Sequence, residues 1–300
     1  MTNGKSKAPF SSKLYLPKLD KEPKTIFEYL ITRFPHLEAE ILASRIEEKE
    51  LFLDDNSAIT LSTPYKAGLT IFYHRATDKE EIIPFQEQVI FENDEILVID
   101  KPPFLPVTPS GKYVNECLLS RLIHKYDYKE LTPIHRIDLE TSGLVLFSKN
   151  NQTRHLYHQL FQTRQVVKQY YAVCQLNDCK KLEIGNKWTI ANRIATGEPW
   201  YRMKIVEGEA NATTEVQLID YKEEKALFLL TPITGKKHQL RLHLTSLGFN
   251  ILNDLLYPEL IKDTNLDYSK VLQLLAYHLS FKDPLINQEI KFFSNQKLNW

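Results

Sequence analysis

Apolar positions recur along this chain in two rhythms, one helical and one of extended strands. Between Thr25 and Lys49 the spacing is helical: Ile26, Phe27, Leu30 and Ile31 form one stripe, and Ile41, Leu42 and Ile46 form a second. Thr25, with Glu28 three residues on, predicts a capping box at the start of the first helix, and the second helix is expected over about 38–49. Residues 51–53 and 69–73 read as short strands, so a compact ααββ unit is expected over 25–76. Before it, residues 1–24 are rich in Lys, Ser and Pro and predict an extended arm packed through Phe10, Leu14 and Leu16. Residues 77–88 are charged and predict a linker. From Val89 the rhythm turns to strands, expected at 89–92, 96–100, 144–147, 166–174, 213–221 and 226–230, with a last one inside 271–283. Helices are expected at 115–126 and 151–163. The second domain should therefore be an α+β body over 89–300.

Punctuation refines this picture. Residues 101–111 hold four prolines, which excludes helix or central strand and predicts a rigid loop. Ser142-Gly143 reads as a tight turn before the apolar strand, and Thr234-Gly235 as another before a helix begun near His238. In the strand at 166–174, Tyr170 and Tyr171 should point to opposite faces.

Composition excludes several classes. With 43% hydrophobic and 25% charged residues the chain reads as an ordinary globular protein. No apolar run reaches the roughly 18 residues a membrane span needs, so no membrane partner is expected. The residues 1–24 carry no apolar core of a signal peptide. Cys117, Cys174 and Cys179 are odd in number and scattered, which argues for a reducing, cytoplasmic setting and against disulfides or structural zinc. His238 and His243 are five apart, not the four a helical metal site wants, so no metal is expected. The formal net charge is zero, so affinity for a polyanion must come from local patches.

Two such patches exist. No acid lies between Glu140 and Asp178, an interval carrying Lys149, Arg154, Arg164 and Lys168 beside His155 and His158. A second acid-free interval runs from Lys225 to Asn253 and contains Lys236, Lys237, His238 and Arg241. Each is either a solvated face or a phosphate-contacting surface. Between Thr132 and the apolar strand lies His135-Arg136-Ile137-Asp138, a carboxylate set beside an arginine just ahead of a rigid element. By chemistry alone this is either a salt-bridged loop or a presented reactive carboxylate.

The stretch His135-Arg136-Ile137-Asp138-x-x-Thr141-Ser142-Gly143-Leu144-Val145-Leu146 resembles the signature of the RluA-type pseudouridine synthases. Three further segments resemble that family in the same order: Lys101-Pro102 with Val107, Lys168-x-Tyr170-x-Ala172, and Thr234-Gly235-Lys236-Lys237-His238-Gln239-Leu240-Arg241-Leu242-His243-Leu244, which Gly248, Ile251, Asp254 and Tyr257 continue. The chain departs from the pattern at Phe104, where a Gly is common, at Lys236, where Arg is usual, and at Leu275, where His is usual.

The resemblance implies a pseudouridine synthase fold, with a long, mixed, mostly antiparallel sheet and a central cleft. It implies isomerisation of specific uridines in structured RNA, ribosomal or transfer, with no cofactor, because nothing is oxidised and no group enters or leaves. It implies Asp138 as nucleophile, Arg241 as its ion-pair partner, Tyr170 against the detached base, Leu240 as an apolar wall and Arg136 filling the space of a flipped base. Lys101, His135, Lys149, Arg154, Lys168, Lys236, Lys237 and His238 are the further residues expected to contact RNA. The alternative is a non-catalytic RNA-binding or chaperone protein retaining the fold. A monomer is expected. The unit at 25–76 resembles the alpha-L RNA-binding module through residues 44–49, 51–55 and 65–71, although Asp54-Asp55 and Leu69 depart from its pattern. It is equally well read as a packing domain without RNA affinity.

Overall fold

The computed structural model describes residues 6–35, 37–77, 80–176, 182–261 and 267–300, so Cys179 lies outside the described residues. The chain divides into two compact units, one of residues 1–81 with 109–115 and one of residues 82–108 with 116–300.

The first unit holds strand β1 (Ser6–Tyr15), helices α1 (Ile26–Arg33) and α2 (Ala39–Glu47), strand β2 (Leu51–Phe52) and strand β3 (Thr70–Thr77). The capping box forms in modified shape. Thr25 Oγ1 accepts from Glu28 N at 3.1 Å, while the Glu28 carboxylate accepts from Lys24 N at 2.8 Å, one residue ahead of the cap. The segment expected as a loose arm is a paired strand, and the sheet order is β1-β3-β2. Its polar side chains hid it, because an edge strand buries few residues and its ladder partner lies some sixty residues on. Leu16, just past its end, is fully buried with Ile26, Leu30, Ile46, Ile59 and Ile71.

The second unit begins at residue 82, inside the expected linker. Ile83 is fully buried, and the Arg121 guanidinium donates to the carbonyls of Ile83 (2.7 Å) and Phe85 (2.6 Å), which ties this stretch to the larger body. The elements that follow are β4 (Gln88–Glu92), β5 (Ile96–Lys101), α3 (Leu118–Tyr126), β6 (Thr132–Pro133), β7 (Ser142–Ser148), α4 (Arg154–Gln162), β8 (Val167–Gln175), β9 (Lys187–Thr196), β10 (Met203–Val206), β11 (Ala212–Lys222), β12 (Lys225–Pro232), α5 (Gln239–Ser246), β13 (Asn250–Ile251), β14 (Leu274–Lys282) and β15 (Glu289–Phe293). Their sheet runs β10-β9-β11-β12-β8-β14-β7-β5-β4, with β13 on β8, β15 on β14 and β6 on β7. Among the described residues every ladder of this sheet is antiparallel except β7 with β14. This is the long mixed sheet the resemblance implied. Two apolar clusters pack it, one around Phe228, Leu230 and Leu244, the other around Leu146, Tyr157 and Phe281.

Three features differ from the sequence reading. Strands β9 and β10 went unread: β9 does turn Trp188, Ile190 and Ile194 inward at alternate positions, but Asn192 interrupts that face and β10 is only four residues long. A strand, β15, follows the one taken as last. Ser142-Gly143 is not a turn but the first two residues of β7, where Gly143 faces Ala276 of β14 on one side and Lys101 of β5 on the other. Gly143 has φ +111°, and a Cβ there would sit 2.3 Å from the Ala276 carbonyl oxygen. The glycine permits close approach of two backbones at the one parallel junction, and strand periodicity carries no sign of that. Gly143→Ala is expected to destabilise the protein by about 3 kcal/mol, from backbone strain and overpacking together. Urea denaturation followed by circular dichroism measures it.

Candidate active site

The loop from Ile134 to Glu140 leads into β7, and its first ring is fixed from behind. His135 stacks on Phe161 of α4 with ring centroids 4.7 Å apart, and its Nε2 accepts from Leu146 N at 3.1 Å. Nε2 is therefore unprotonated and Nδ1 carries the proton. Burial, with the Lys168 charge, pushes the His135 pKa down to about 3, so the ring is neutral and braces the loop. Arg136, next in sequence, is exposed.

Lys101 anchors the loop from below. It is fully buried, and its Nζ donates to the carbonyls of Pro102 (2.8 Å) and Leu139 (3.1 Å). Burial pushes its pKa down to about 7 against the pull of Glu140, Asp138 and Asp100. Lys101 therefore holds backbone and offers no face to a nucleic acid. After it, Phe104 adopts the left-handed region at φ +61°, which explains why glycine suits this position elsewhere. Its ring is held by Phe85 (stacked, 6.0 Å) and Tyr268 (edge-on, 5.2 Å).

The centre of the site is Arg241, on α5 and 1% exposed. Its Nε and Nη2 donate to the two oxygens of Asp254 at 2.8 and 2.6 Å, a two-point fork. Its Nη1 remains for the loop, 3.3 Å from Glu140 Oε2 and 3.8 Å from Asp138 Oδ2. Burial works against the guanidinium charge, but the Asp254 bonds and the surrounding carboxylates raise its pKa above the ordinary value. Asp138, a quarter exposed at its side chain, has its pKa raised by burial, opposed by the charges of Arg241 and Lys237. The pairing implied by resemblance is thus only part of the arrangement: the tight partner of Arg241 is Asp254, and Asp138 takes the looser, outward contact. A buried guanidinium needs a buried carboxylate, and Asp254 is the first acid after the acid-free interval; that was the available signal.

Tyr170, half-buried on β8, has its hydroxyl pKa raised by burial and then by the charge on Asp138. It packs against the cluster that contains Leu240. Tyr171 points the other way, onto Tyr277 with centroids 4.8 Å apart, as the strand period required. Lys168 has its pKa lowered by burial.

A second layer behind α5 was not foreseen. His238 is buried, in the left-handed region at φ +55°, and its Nδ1 lies 2.9 Å from the Tyr257 hydroxyl. That hydroxyl also donates to Met203 O (3.1 Å) and accepts from Met203 N (2.8 Å), so His238 Nδ1 is the donor to it. Burial first, then the neighbouring cations, holds the His238 pKa down to about 3, so His238 is a brace rather than an RNA contact. The fully buried His243 joins Thr214 Oγ1 (2.8 Å) and Asn192 Oδ1 (3.1 Å), and Gln239 ties Thr214 and Thr234 to the helix start.

The remaining cations divide. Lys236 and Lys237 are exposed beside the helix start. Lys149 is taken up by Glu92 Oε1 at 2.6 Å and Asn93 O at 2.7 Å, and Arg154 donates to Glu130 O. These two positions of the first acid-free interval hold neighbouring loops rather than form an open surface. No cluster of His, Cys, Asp or Glu among the described residues could hold a metal ion.

The site joins a quarter-exposed carboxylate, a buried arginine and a half-buried tyrosine. Residues 95–246 match the family described as RNA pseudouridylate synthase. The chain is 27% identical over 292 residues to the ribosomal large subunit pseudouridine synthase C of Rickettsia prowazekii, covering 90% of this chain and 92% of that protein. It is 28% identical over 239 residues to the mitochondrial tRNA pseudouridine(32) synthase of Saccharomyces cerevisiae, covering 78% of this chain but only 50% of that protein. The solved structure of human RNA pseudouridylate synthase domain containing 4 aligns with a TM-score of 0.52 at 26% identity, over 70% of this chain and 88% of that one. The chain belongs to the RNA pseudouridylate synthase family, and it is an RNA-modifying isomerase.

Asp254→Asn should leave Arg241 buried with its fork half-charged. A loss of about 3 kcal/mol in stability is expected, as for other broken buried pairs. Chemical denaturation measures it, and a loss below about 1 kcal/mol would show that Asp254 does not anchor the arginine.

Proposed function

We propose that Asp138 is the nucleophile of a uridine isomerisation in structured RNA. The observation that carries this reading is the outward Nη1 of Arg241, 3.8 Å from an Asp138 carboxylate that is a quarter exposed. Arg241 cannot swing away, because Asp254 holds its other nitrogens. It offers Asp138 a fixed positive neighbour, which favours the ionised form and aims it. The N1–C1′ bond of uridine breaks, the base turns within the pocket, C5 bonds to C1′, the C5 proton is released to solvent and N1 takes up a proton, so that the product is an isomer of the substrate. No oxidant or transferred group is required. Asp138 forms and releases the transient covalent bond. Tyr170 and Leu240 flank the detached base, and Arg136, exposed at the head of the loop, occupies the gap left in the RNA when the uridine flips out.

The Rickettsia relative, named for large-subunit ribosomal RNA, is matched over nearly its whole length, which makes that RNA the first substrate to test. Transfer RNA, named for the yeast relative, is the second. Mapping pseudouridines in a strain lacking the protein identifies the position.

Asp138→Asn is expected to abolish tritium release from 5-tritiated uridine in ribosomal and transfer RNA while the protein still folds and binds RNA. Persistent release would remove Asp138 from the chemistry, and absence of release in the unaltered protein would return the non-catalytic binding reading.

Because burial raises the Asp138 pKa, turnover should fall on the acid side with a midpoint above the ordinary value of 3.8. Lys237 opposes that rise, so Lys237→Ala should move the acid limb of kcat to higher pH; a limb that stays in place would exclude that electrostatic link.

A further inference from the structure

Trp200 is 78% exposed, the most exposed large aromatic side chain among the described residues, and Tyr201 beside it is 38% exposed. Both sit on the turn between β9 and β10. A solvated tryptophan is costly to leave open, and among the described residues this one is left largely uncovered. The turn itself is well built. Gly197 N donates to Arg202 O at 2.9 Å, and Arg202 N donates to Pro199 O at 2.8 Å. Its far side is clamped: Arg202 Nη2 donates to Pro258 O at 3.0 Å, its guanidinium lies 5.1 Å over the Tyr257 ring, and Met203 exchanges two bonds with the Tyr257 hydroxyl.

The clamp leads to the active site. Tyr257 receives His238, and its ring lies 5.4 Å under the Arg241 guanidinium. A second link is direct. Lys237 Nζ stands 5.8 Å from the Trp200 ring centre, and the same ammonium is close enough to Asp138 to lower its pKa. The exposed aromatic pair is therefore held rigidly at the rim of the site, with Lys236 and Lys237 exposed beside it. The two rings meet edge to face, with centroids 5.9 Å apart and planes at 82°, rather than stacking face on face.

We propose that Trp200, with Tyr201 behind it, is a stacking platform for an unpaired RNA base adjoining the target uridine, and that Lys236 and Lys237 hold the phosphates of the same strand. A ring face takes any base, and the neighbouring Lys236 and Lys237 ammonium groups neutralise the backbone on one side, which is the chemistry of a single-stranded segment rather than of a duplex. Glu198 is the acid of the turn and is exposed beside the platform, so the cations beyond it set the sign of the patch only on the Lys236–Lys237 side. The platform would make the enzyme select uridines whose neighbour is unpaired. This rests on the site reading above, but its test does not depend on turnover.

The probes are a stem-loop RNA with a uridine-containing loop and the same stem fully paired. Trp200→Ala is expected to weaken binding of the stem-loop about tenfold, the usual size for a lost base stack, and to leave duplex binding unchanged. Trp200→Phe, which keeps a ring face, should restore most of the affinity. Binding of the stem-loop should quench the tryptophan fluorescence of the unaltered protein and not that of Trp200→Phe, because Trp188 is packed beside Phe228 and Phe249 and Trp300 lies under Lys222. Equal stem-loop affinity in Trp200→Ala would overturn the proposal, as would equal weakening toward the duplex. A shift of Trp200→Ala to a smaller species in sedimentation, with RNA affinity intact, would assign the surface to a second protein copy instead. If the unaltered protein shows the binding pattern but no tritium release, the platform stands and the catalytic reading falls.

Discussion

One buried charge organises the catalytic unit. A guanidinium cannot be taken out of water cheaply unless each of its nitrogens finds an acceptor, and Arg241 finds them on three carboxylates. Asp254 saturates two positions from within, while Glu140 and Asp138 share the third from the loop. Everything around the site follows from keeping that geometry. The loop is pinned at its start by a neutral His135, at its middle by the Lys101 ammonium on Leu139 O, and at its end by the entry of β7 into the sheet. The helix bearing Arg241 is pinned at its start by His238 and Gln239.

The same logic explains which polar residues near the site stay uncharged. His135, His238 and His243 are all pushed to low pKa by burial, and each is spent on a fixed hydrogen bond. The local charge is then set by few groups: the cations Arg241 and Lys237, the carboxylates facing them, and Lys101, whose pKa near 7 places it at the edge of ionisation. Around Asp138, then, few charges besides that of Lys101 change near neutrality.

Much of this was legible in the chain itself. The loop at 135–140, Tyr170, Leu240 and Arg241 stood out because four segments resemble one family's motifs in the same order; local chemistry alone left the loop open between a salt bridge and a presented carboxylate. The strands with continuous apolar character, such as β5 and β7, were equally plain. What stayed hidden depends on partners distant in sequence. Strand β1 looks like a polar arm until β3 pairs with it, the apolar face of β9 is broken by Asn192, and Gly143 reads as a turn unless the approach of Ala276 is known. Asp254 continues the resemblance in sequence, but its role as the tight partner of Arg241 appears only once that arginine is seen to be buried. His238 and Lys101 look like surface cations in a basic motif, and burial turns both into internal braces.

The spacing of the partners around Arg241 has a kinetic meaning. Asp254 lies 13 residues from the arginine, Glu140 lies 101 residues away. The short loop closes at small entropic cost, and the long one only once β8, β14 and β7 have assembled beside each other. The cationic half of the pocket can thus exist, neutralised, on a partly folded chain. By the same entropic argument the Asp138 carboxylate is expected to join it later, with the seam at Gly143 and Ala276.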